Sequence, residues 1–246
     1  MSTRLLRWAW LGTVPYMRGW QLQSALAEAR RGGRLADDVV LMLEHPPVYT
    51  MGRNGEERHL CRGVDALRAA GPDYVEVDRG GSVTFHGPGQ LVAYPIIDLA
   101  SIFPIARHPA HGDINRYLRA LEASIIDTAR SYGLITQRRP PYTGVWVGNS
   151  KLAAIGVKLS RGITTHGLAL NVCTDLQWFD YIVPCGIDGA SVASLQTLGA
   201  RELQPVDVAP VLAANLARAF DAECTEADSA LRGLIRSVPA DGVAAA

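Results

Sequence analysis

The chain has 246 residues, 48% of them apolar, which is enough for a full core, and we expect a single domain over residues 1–246. Its 24 basic and 24 acidic residues balance, so no nucleic-acid partner is indicated. The absence of a membrane-spanning run, of a secretory signal and of any Cys-x-x-Cys pair predicts a cytoplasmic protein with no disulfide framework and no metal site.

The first half of the chain predicts alternating helices and strands. Residues 16–31 have apolar side chains at helical spacing and end at Gly32-Gly33, which is typical of a helix with a glycine stop. The prolines at 46 and 47 predict an extended loop over 44–50, in which His45 is either functional or a cap of the turn. The other expected elements are strands at 39–43, 74–77 and 91–99 and a short helix at 64–70.

Residues 79–90 form a glycine-rich stretch, Arg-Gly-Gly-Ser-Val-Thr-Phe-His-Gly-Pro-Gly-Gln. Such a backbone can wrap a ligand, with Arg79 at one end and His86 in the middle, and a plain turn would need fewer glycines. The glycine spacing matches neither a Walker loop nor a dinucleotide fingerprint. The stretch therefore predicts a ligand loop without implying a nucleotide, and a structural turn remains the alternative.

The second half predicts a helix, a meander and a second helix. Residues 113–132 are amphipathic and end at Gly133, as expected for a helix. Strands at 143–147, 151–159 and 163–172, separated by short glycine turns, predict a three-stranded meander. Residues 204–222 have helical spacing, and residues 237–246 are expected to be frayed.

Lysine is rare in this chain. Only Lys151 and Lys158 occur among the 24 basic residues, and lysine, unlike arginine, can give up its proton in a protein. Either an ammonium is needed at one position, or the placement is chance. Strand alternation predicts that the two lysines face opposite sides, with Lys151 against small apolar residues and Lys158 an ordinary surface charge. His166, on the next strand, is compatible with the same pocket and with a core position.

The run Ile182-Val183-Pro184-Cys185-Gly186-Ile187 places a thiol where an apolar segment stops abruptly. Proline removes a backbone donor and glycine permits close approach of another chain or a ligand. Nucleophiles are usually presented at such strand ends. A small buried cysteine in a turn is the alternative for Cys185.

Several of these segments together resemble a known family. The glycine-rich stretch 79–90, Lys-Leu-Ala-Ala-Ile-Gly-Val at 151–157, Thr-His-Gly-Leu-Ala-Leu-Asn at 165–171, the Pro-Cys-Gly turn and residues 44–50 occur in an order similar to the octanoyl (lipoyl) transferases of lipoate biosynthesis. The similarity extends over about residues 11–198. It implies an α+β fold like that of the biotin and lipoate protein ligases, with a mixed β-sheet flanked by helices and a second small sheet.

The resemblance also implies an activity and a site. The expected reaction moves an octanoyl group from acyl carrier protein to a lysine of a lipoyl domain, in 2-oxoacid dehydrogenase complexes or the glycine cleavage H protein. Cys185 would be the nucleophile and Lys151 its partner, with no cofactor. The residues implied to line the acyl site are Arg79, Gly80, Gly81, Ser82, Val83, Thr84, Phe85, His86, Ala154, Ile155, Gly156, Gly167, Leu168 and Ala169.

This chemistry agrees with the residue types. A free thiol has a pKa of about 8.5, and a neighbouring ammonium favours its reactive thiolate form. Exchange between thioesters is nearly balanced in energy and aminolysis is downhill, so no ATP is required. The residues alone leave Lys151, His86 and His166 open as the general base.

Three other functions remain compatible with the sequence. An ATP-dependent lipoate or biotin-type protein ligase of the same fold would need no thiol, so Cys185 discriminates against it. A cysteine hydrolase using His86 or His166 would have to admit water, which a transferase excludes. A non-catalytic acyl-carrier binding module would keep the pocket without the chemistry. Arginine clusters at 30–34, 53–62 and 138–139 either steer an acidic partner or are simply solvated.

Overall fold

A computed structural model describes residues 4–183, 190–200 and 202–240, with only the backbone for residues 109 and 110. Six α-helices and two short 3₁₀ helices, at Glu57–His59 and Leu176–Tyr181, lie within the described residues. The α-helices are α1 Tyr16–Arg31, α2 Gly63–Ala69, α3 Leu99–Ile102, α4 Ile114–Ser131, α5 Pro205–Ala219 and α6 Ser229–Ser237. Among these helices, none is long and apolar enough to cross a membrane.

Fourteen strands occur within the same residues. They are β1 Leu5–Thr13, β2 Asp38–Glu44, β3 Val48–Met51, β4 Asp73–Glu76, β5 Val83–His86, β6 Gln90–Ile96, β7 Pro104–Ile105, β8 His108–Gly112, β9 Gln137–Arg139, β10 Tyr142–Val147, β11 Ser150–Ser160, β12 Ile163–Asn171, β13 Ser191–Val192 and β14 Glu223–Glu226.

The strands form a large mixed sheet and two small sheets. The large sheet has the order β14-β1-β2-β6-β12-β11-β10-β9, with β13 added beside β11. Strand β1 runs parallel to β2 and β14, whereas β6, β12, β11 and β10 pair antiparallel. The second sheet has the order β4-β3-β5, and β7 pairs with β8. The predicted mixed sheet flanked by helices, with a second small sheet, is confirmed.

Helices cover both faces of the large sheet because its central strands are apolar on both sides. In β2, Val40 and Met42 belong to the core cluster that includes α4 and α5. The alternate residues Val39 and Leu41 belong to the cluster that includes α1 and α6. Side chains of a strand alternate between faces, so one continuous apolar run can be buried between two helical layers.

The elements predicted from periodicity are largely confirmed. Helix α1 has the predicted bounds. Helix α4 begins after Asp113, whose carboxylate accepts hydrogen bonds from the backbone amides of Asn115 and Arg116 and so caps the helix. The meander is present as β10, β11 and β12, and positive φ angles at Arg161 and Gly162 form the turn between its last two strands.

Other predictions were wrong in part. The expected loop over 44–50 is confined to residues 45–47, because Val48 begins β3, which pairs with β4 and β5. The expected glycine loop 79–90 contains β5, so only its two ends are irregular. Strands β1 and β14 and helix α6 were not expected. Residues 241–246 of the predicted frayed tail lie outside the described residues.

Candidate active site

A cavity of about 360 Å³ lies between the segment 79–86 and the middle of strands β11 and β12. Pro141, just before β10, Tyr142 and Thr143 at the start of β10, and Leu118 of α4 line it too. Tyr16 from α1 and Tyr94 from β6 also line it. A concave site of this size, mostly apolar with a few polar groups, is suited to a single small-molecule chain.

The structure brings the implied acyl-site residues together, with one exception. Every residue implied between Arg79 and His86 lines the cavity except Phe85, as do those implied on β11 and β12. Phe85 instead packs among Tyr49, Trp178 and Phe179, with ring centroids 5.3 to 5.7 Å away. Thr84 and His86 reach the cavity from one face of β5, and Phe85 points to the other face.

Lys151 lies in the cavity wall and is only 5% exposed. Its Nζ lies 4.7 Å from the centroid of the Trp146 ring. This cation–π contact is the interaction that the ammonium makes with the described part of the chain. The backbone of Gly144 passes close by, since a Cβ there would be 3.3 Å from Lys151 Cε. A buried ammonium with hydrogen-bonding capacity to spare is suited to meet a partner in the cavity.

Arg79 is buried at the base of the same cavity. Its Nη2 donates to the Thr50 carbonyl oxygen at 2.7 Å and to Thr50 Oγ1 at 2.8 Å, and its Nη1 donates to the Ser82 carbonyl oxygen at 2.9 Å. These bonds fold the glycine-rich segment around the guanidinium and tie it to β3. Arg79 therefore shapes the cavity wall and places a fixed positive charge beside it.

A second polar network leads from His86 to the chain beside Lys151. His86 Nδ1 donates to Gln90 Oε1 at 2.8 Å, Gln90 Nε2 donates to Asn171 Oδ1 at 2.9 Å, and Asn171 Nδ2 donates to the Ala193 carbonyl oxygen at 3.0 Å. The Ala193 amide in turn donates to the Lys151 carbonyl oxygen at 2.9 Å. All five residues of the network are buried, so it is well shielded from water.

His166 lines the cavity and is held by a hydrogen bond to a carboxylate. Its Nε2 donates to Asp78 Oδ1 at 2.9 Å, and Asp78 also binds Lys158. Burial lowers the pKa of His166, and the hydrogen bond that His166 donates to Asp78 partly offsets that effect. Lys158 is only 28% exposed, so its interpretation as an ordinary surface charge was wrong. A strand pattern cannot show that Asp78, far away in sequence, lies opposite it.

His45 lies outside the cavity wall and has a structural position. Its Nδ1 donates to the Val14 carbonyl oxygen at 2.6 Å, and its Nε2 accepts from the Tyr94 hydroxyl at 2.7 Å. Burial of the ring lowers the pKa of His45 to about 4. Of the two possibilities for this residue, the structure favours a histidine that fixes the turn.

We expect the free energy of unfolding to fall as the pH is lowered from about 6.5 toward 4, because three buried histidines are neutral in the folded protein. Burial lowers the pKa of His45, His86 and His166, so only the unfolded chain takes up protons in this range. The shift to about 4 at His45 alone corresponds to about 3 kcal/mol.

Urea denaturation at pH 7, 6 and 5 measures this dependence. Replacing the exposed His108 and His111 with glutamine provides the control and should leave the dependence unchanged. An unfolding free energy that stays constant between pH 7 and 5 would contradict the neutral state of the buried histidines.

Several residues of the site were not identified from sequence patterns. Tyr16, Tyr94 and Asp78 reach the site from α1, from β6 and from the residues after β4. The contact between Asp78 and His166 spans 88 positions, so no local pattern could indicate it. The prolines before Tyr142 indicate a rigid turn, but they do not indicate that this turn lies beside a cavity.

Cys185 lies outside the described residues, and so do its neighbours Pro184 and Gly186. The chain on either side is described. The Val183 amide donates to the His59 carbonyl oxygen at 2.8 Å, and β13 pairs Ser191 with Ser150 and Val192 with Lys151. The other three cysteines, Cys61, Cys173 and Cys224, are free thiols.

No cluster of three or more potential metal ligands occurs within residues 4–183, 190–200 and 202–240. Arg79, His86 and Nε2 of His166 are hydrogen-bonded within the described part of the protein, whereas the buried Nδ1 of His166 has no partner there.

Comparison with known proteins identifies the family of this chain. The model of the lipoyl protein ligase A/B catalytic domain matches residues 15–217. An octanoyltransferase of Solibacter usitatus is 47% identical over 213 residues, which is 87% of this chain and 92% of that protein. Other curated octanoyltransferases match at 44% to 50% identity.

Solved structures show the same fold at low identity. The bipartite lipoate protein ligase of Thermoplasma acidophilum superposes with a TM-score of 0.67 at 16% identity, covering 96% of this chain and 91% of that one. The biotin protein ligase of Aquifex aeolicus gives a TM-score of 0.52 at 12% identity, covering 87% and 70%. Together, the matched domain and the extent of identity show that the chain belongs to the octanoyltransferases of the lipoyl protein ligase A/B catalytic domain family.

Proposed function

We propose that this protein transfers an octanoyl group from the thioester of acyl carrier protein to a lysine amine of a lipoyl domain. The transfer is the first step of protein lipoylation. The acceptors are lipoyl domains of 2-oxoacid dehydrogenase complexes or the glycine cleavage H protein. The observation that carries the proposal is the buried Lys151 ammonium in the wall of a small cavity, in a chain with 44% to 50% identity to curated octanoyltransferases.

In the first half-reaction, the Cys185 thiolate attacks the octanoyl carbonyl carbon and displaces the thiolate of the acyl carrier. Lys151 stabilises the Cys185 thiolate by its charge and gives its proton to the departing carrier thiolate. One C–S bond forms as another breaks, so the step is nearly balanced in energy. The acyl group is then held as a Cys185 thioester with its chain in the cavity.

In the second half-reaction, the acceptor lysine amine attacks the Cys185 thioester. The neutral Lys151 amine takes the proton that the attacking amine loses, and Cys185 leaves as a thiolate beside the restored ammonium. The amide product is more stable than the thioester, so the step is downhill. The enzyme returns to its starting state without a cofactor or metal.

The flanks of the Cys185 segment support the pairing with Lys151. On one side, Val183 is bonded to His59, whose Nδ1 lies 2.8 Å from Oγ of the cavity residue Ser82. On the other side, Val192 pairs with Lys151 itself. The described parts of the chain on both sides of the Cys185 segment thus lie beside the cavity. Cys185 follows Val183 by only two residues, and two residues span at most about 7 Å.

The implied acyl-site residues, apart from Phe85, are proposed to hold the octanoyl chain. Ala154, Gly156, Gly167 and Ala169 contribute small groups to the cavity wall on β11 and β12. Small side chains leave room for a flexible alkyl chain, whose burial is favourable at about 0.8 kcal/mol per methylene. Arg79 and His86, in contrast, shape the polar part of the wall.

Steering by arginine clusters has little support, because much of the charge is already paired. Arg30 binds Asp38 at 3.1 Å, Arg58 binds Glu56 at 2.9 Å, and Arg138 binds a carboxylate of α4 at 2.8 Å. Attraction of an acidic carrier by the remaining arginines stays a prediction, as do the cytoplasmic location and the single-domain organisation.

We expect transfer from octanoyl-acyl carrier protein to proceed without ATP, because the donor thioester already carries the activated acyl group. Free octanoate should not be transferred, with or without ATP. Mass spectrometry of a lipoyl domain after incubation with each donor measures both results. Transfer from free octanoate only when ATP is present would instead establish an ATP-dependent ligase, and release of octanoate without transfer would establish a hydrolase.

A further inference from the structure

Glu122 is a fully buried carboxylate that the proposed chemistry does not use. It lies on α4, and its Oε2 accepts from Arg119 Nη1 at 2.6 Å and from Arg138 Nε at 2.8 Å. Its Oε1 accepts from the Gly144 backbone amide at 3.1 Å. Both oxygens are therefore used, and they connect α4 to β9 and β10.

Stability alone is a weak reason for this arrangement. Removing a carboxylate from water is costly, and buried ion pairs often stabilise a fold no better than apolar side chains of similar volume. Arg119 and Arg138 are also 46% and 39% exposed, which weakens their interaction with the carboxylate further. The geometry has to be explained by what Glu122 holds in place.

Glu122 holds a part of β10 that the sheet holds poorly. The pairing of β10 with β9 is irregular between Tyr142 and Trp146, and its pairing with β11 shifts between Val145 and Trp146. Gly144 lies in the middle of the first irregularity and one residue before the second, and it has a φ of 125°. Its amide donates to Glu122, so the carboxylate fixes the strand where the ladder is interrupted.

This part of β10 forms the surroundings of Lys151. Gly144 passes close to Lys151 Cε, and Trp146, two residues further, provides the ring against which the ammonium lies. Tyr142 and Thr143, immediately before Gly144, line the cavity. A displacement of β10 would therefore move the ring contact of Lys151 and open the wall beside it.

We propose that Glu122 is a positioning residue for the transfer reaction, which fixes β10 so that Trp146 and the Gly144 backbone hold the Lys151 ammonium in the cavity wall. The inference rests on the proposed function, in which Lys151 moves protons. Glu122 itself touches no reacting atom. It acts through the Gly144 amide and through Arg138, which joins β9 to the same carboxylate.

Reactivity of the two lysines tests the proposal without any acyl substrate. Trace acetylation with acetic anhydride, read by mass spectrometry, compares Lys151 with Lys158 in the same molecule, and no other lysine occurs in the chain. We expect Glu122→Met, which fills the volume but accepts no hydrogen bond, to raise the Lys151 to Lys158 ratio at least fivefold. Its kcat should fall at least tenfold with little change in KM.

Two further variants make the result specific. Glu122→Gln keeps an oxygen acceptor for the Gly144 amide but loses the negative charge that binds Arg138, so its labelling ratio and kcat should lie between those of Glu122→Met and the wild type. Asp127→Asn removes an ion pair of the same spacing on the same helix, with Arg130 at the exposed surface, and should match the wild type. All variants are assayed below their melting temperatures.

A folded Glu122→Met protein with the wild-type labelling ratio would overturn the proposal. If Glu122→Met does not fold, the question is decided by a Glu122→Gln protein that matches Asp127→Asn in thermal stability. A kcat below that of Asp127→Asn together with a raised labelling ratio supports the proposal. Equality with Asp127→Asn in both quantities overturns it. Failure of the proposed function would show itself separately, as transfer that does not need Cys185, and would leave the labelling result valid.

Discussion

Replacing Cys185 with serine is expected to abolish octanoyl transfer while leaving the fold intact. A serine hydroxyl is essentially un-ionised at neutral pH, and an ammonium beside it cannot generate an alkoxide as it generates a thiolate. Loss of a covalent nucleophile typically costs at least about 10³-fold in kcat, and we expect a loss of this size. The measurement is the rate of lipoyl-domain octanoylation by the variant and the wild type.

The remaining thiols provide matched controls for this substitution. Cys61 and Cys224 are exposed, and Cys173 is half-buried near Gln204, away from the cavity wall. Serine at each of these positions should leave transfer nearly unchanged. Near-normal transfer by Cys185→Ser would mean that the protein transfers the acyl group directly or uses another nucleophile.

Replacing Lys151 with alanine is expected to nearly stop transfer, and arginine is not expected to restore it. Alanine removes both the charge that favours the thiolate and the group that moves the proton, and general acid–base catalysis alone contributes about 10²- to 10⁴-fold. Arginine keeps the charge, but its pKa above about 12 prevents proton transfer. Its planar head group also needs more room than an ammonium, in a place where the Gly144 backbone and the Trp146 ring already lie close to the lysine side chain.

The rate of thiol alkylation against pH separates these two roles of Lys151. In Lys151→Ala, the profile of Cys185 should move to higher pH, whereas Lys151→Arg should retain a reactive thiol and still transfer poorly to the amine. Lys158→Arg should be almost silent, because arginine can keep the ion pair with Asp78. An active Lys151→Arg enzyme, or a strongly impaired Lys158→Arg enzyme, would show that the wrong lysine or the wrong role was assigned.

Local sequence patterns predicted much of the fold where local forces determine structure. Helix α1 ends at its glycine pair and α4 begins at its Asp113 cap, because apolar spacing and capping are properties of neighbouring residues. The β10–β12 meander was predictable for the same reason, since short turns at residues 148–149 and 161–162 connect its strands.

Elements that depend on distant partners were missed. Strand β1 pairs in parallel with β14, which joins Leu5 to Glu223 across almost the whole chain. Polar and apolar residues follow no clear period in β1, as the run Arg7, Trp8, Ala9 and Trp10 shows. Only pairing with the neighbouring strands therefore defines this strand. Tertiary pairing of this kind has no local signature.

The candidate site shows the same division. Alternation along β5 predicts that Phe85 faces away from Thr84 and His86, and the structure places its ring against Tyr49 and outside the cavity wall. The ion pair of Asp78 with Lys158, in contrast, bridges two separate elements, and the positive φ of His166 cannot be read from its neighbours. Chemistry at Lys151 was suggested by its rarity, whereas its contact with Trp146 required the fold.

The central claim is that the octanoyl group passes through a thioester on Cys185. Mixing the wild-type protein with octanoyl-acyl carrier protein, without an acceptor, and quenching in acid allows the peptide that contains Cys185 to be analysed by mass spectrometry. We predict one octanoyl group on Cys185, which disappears when a lipoyl domain is added and reappears on the lysine of that domain. An unmodified Cys185, or an adduct on Cys61, Cys173 or Cys224 that is chased to the acceptor, would contradict the account.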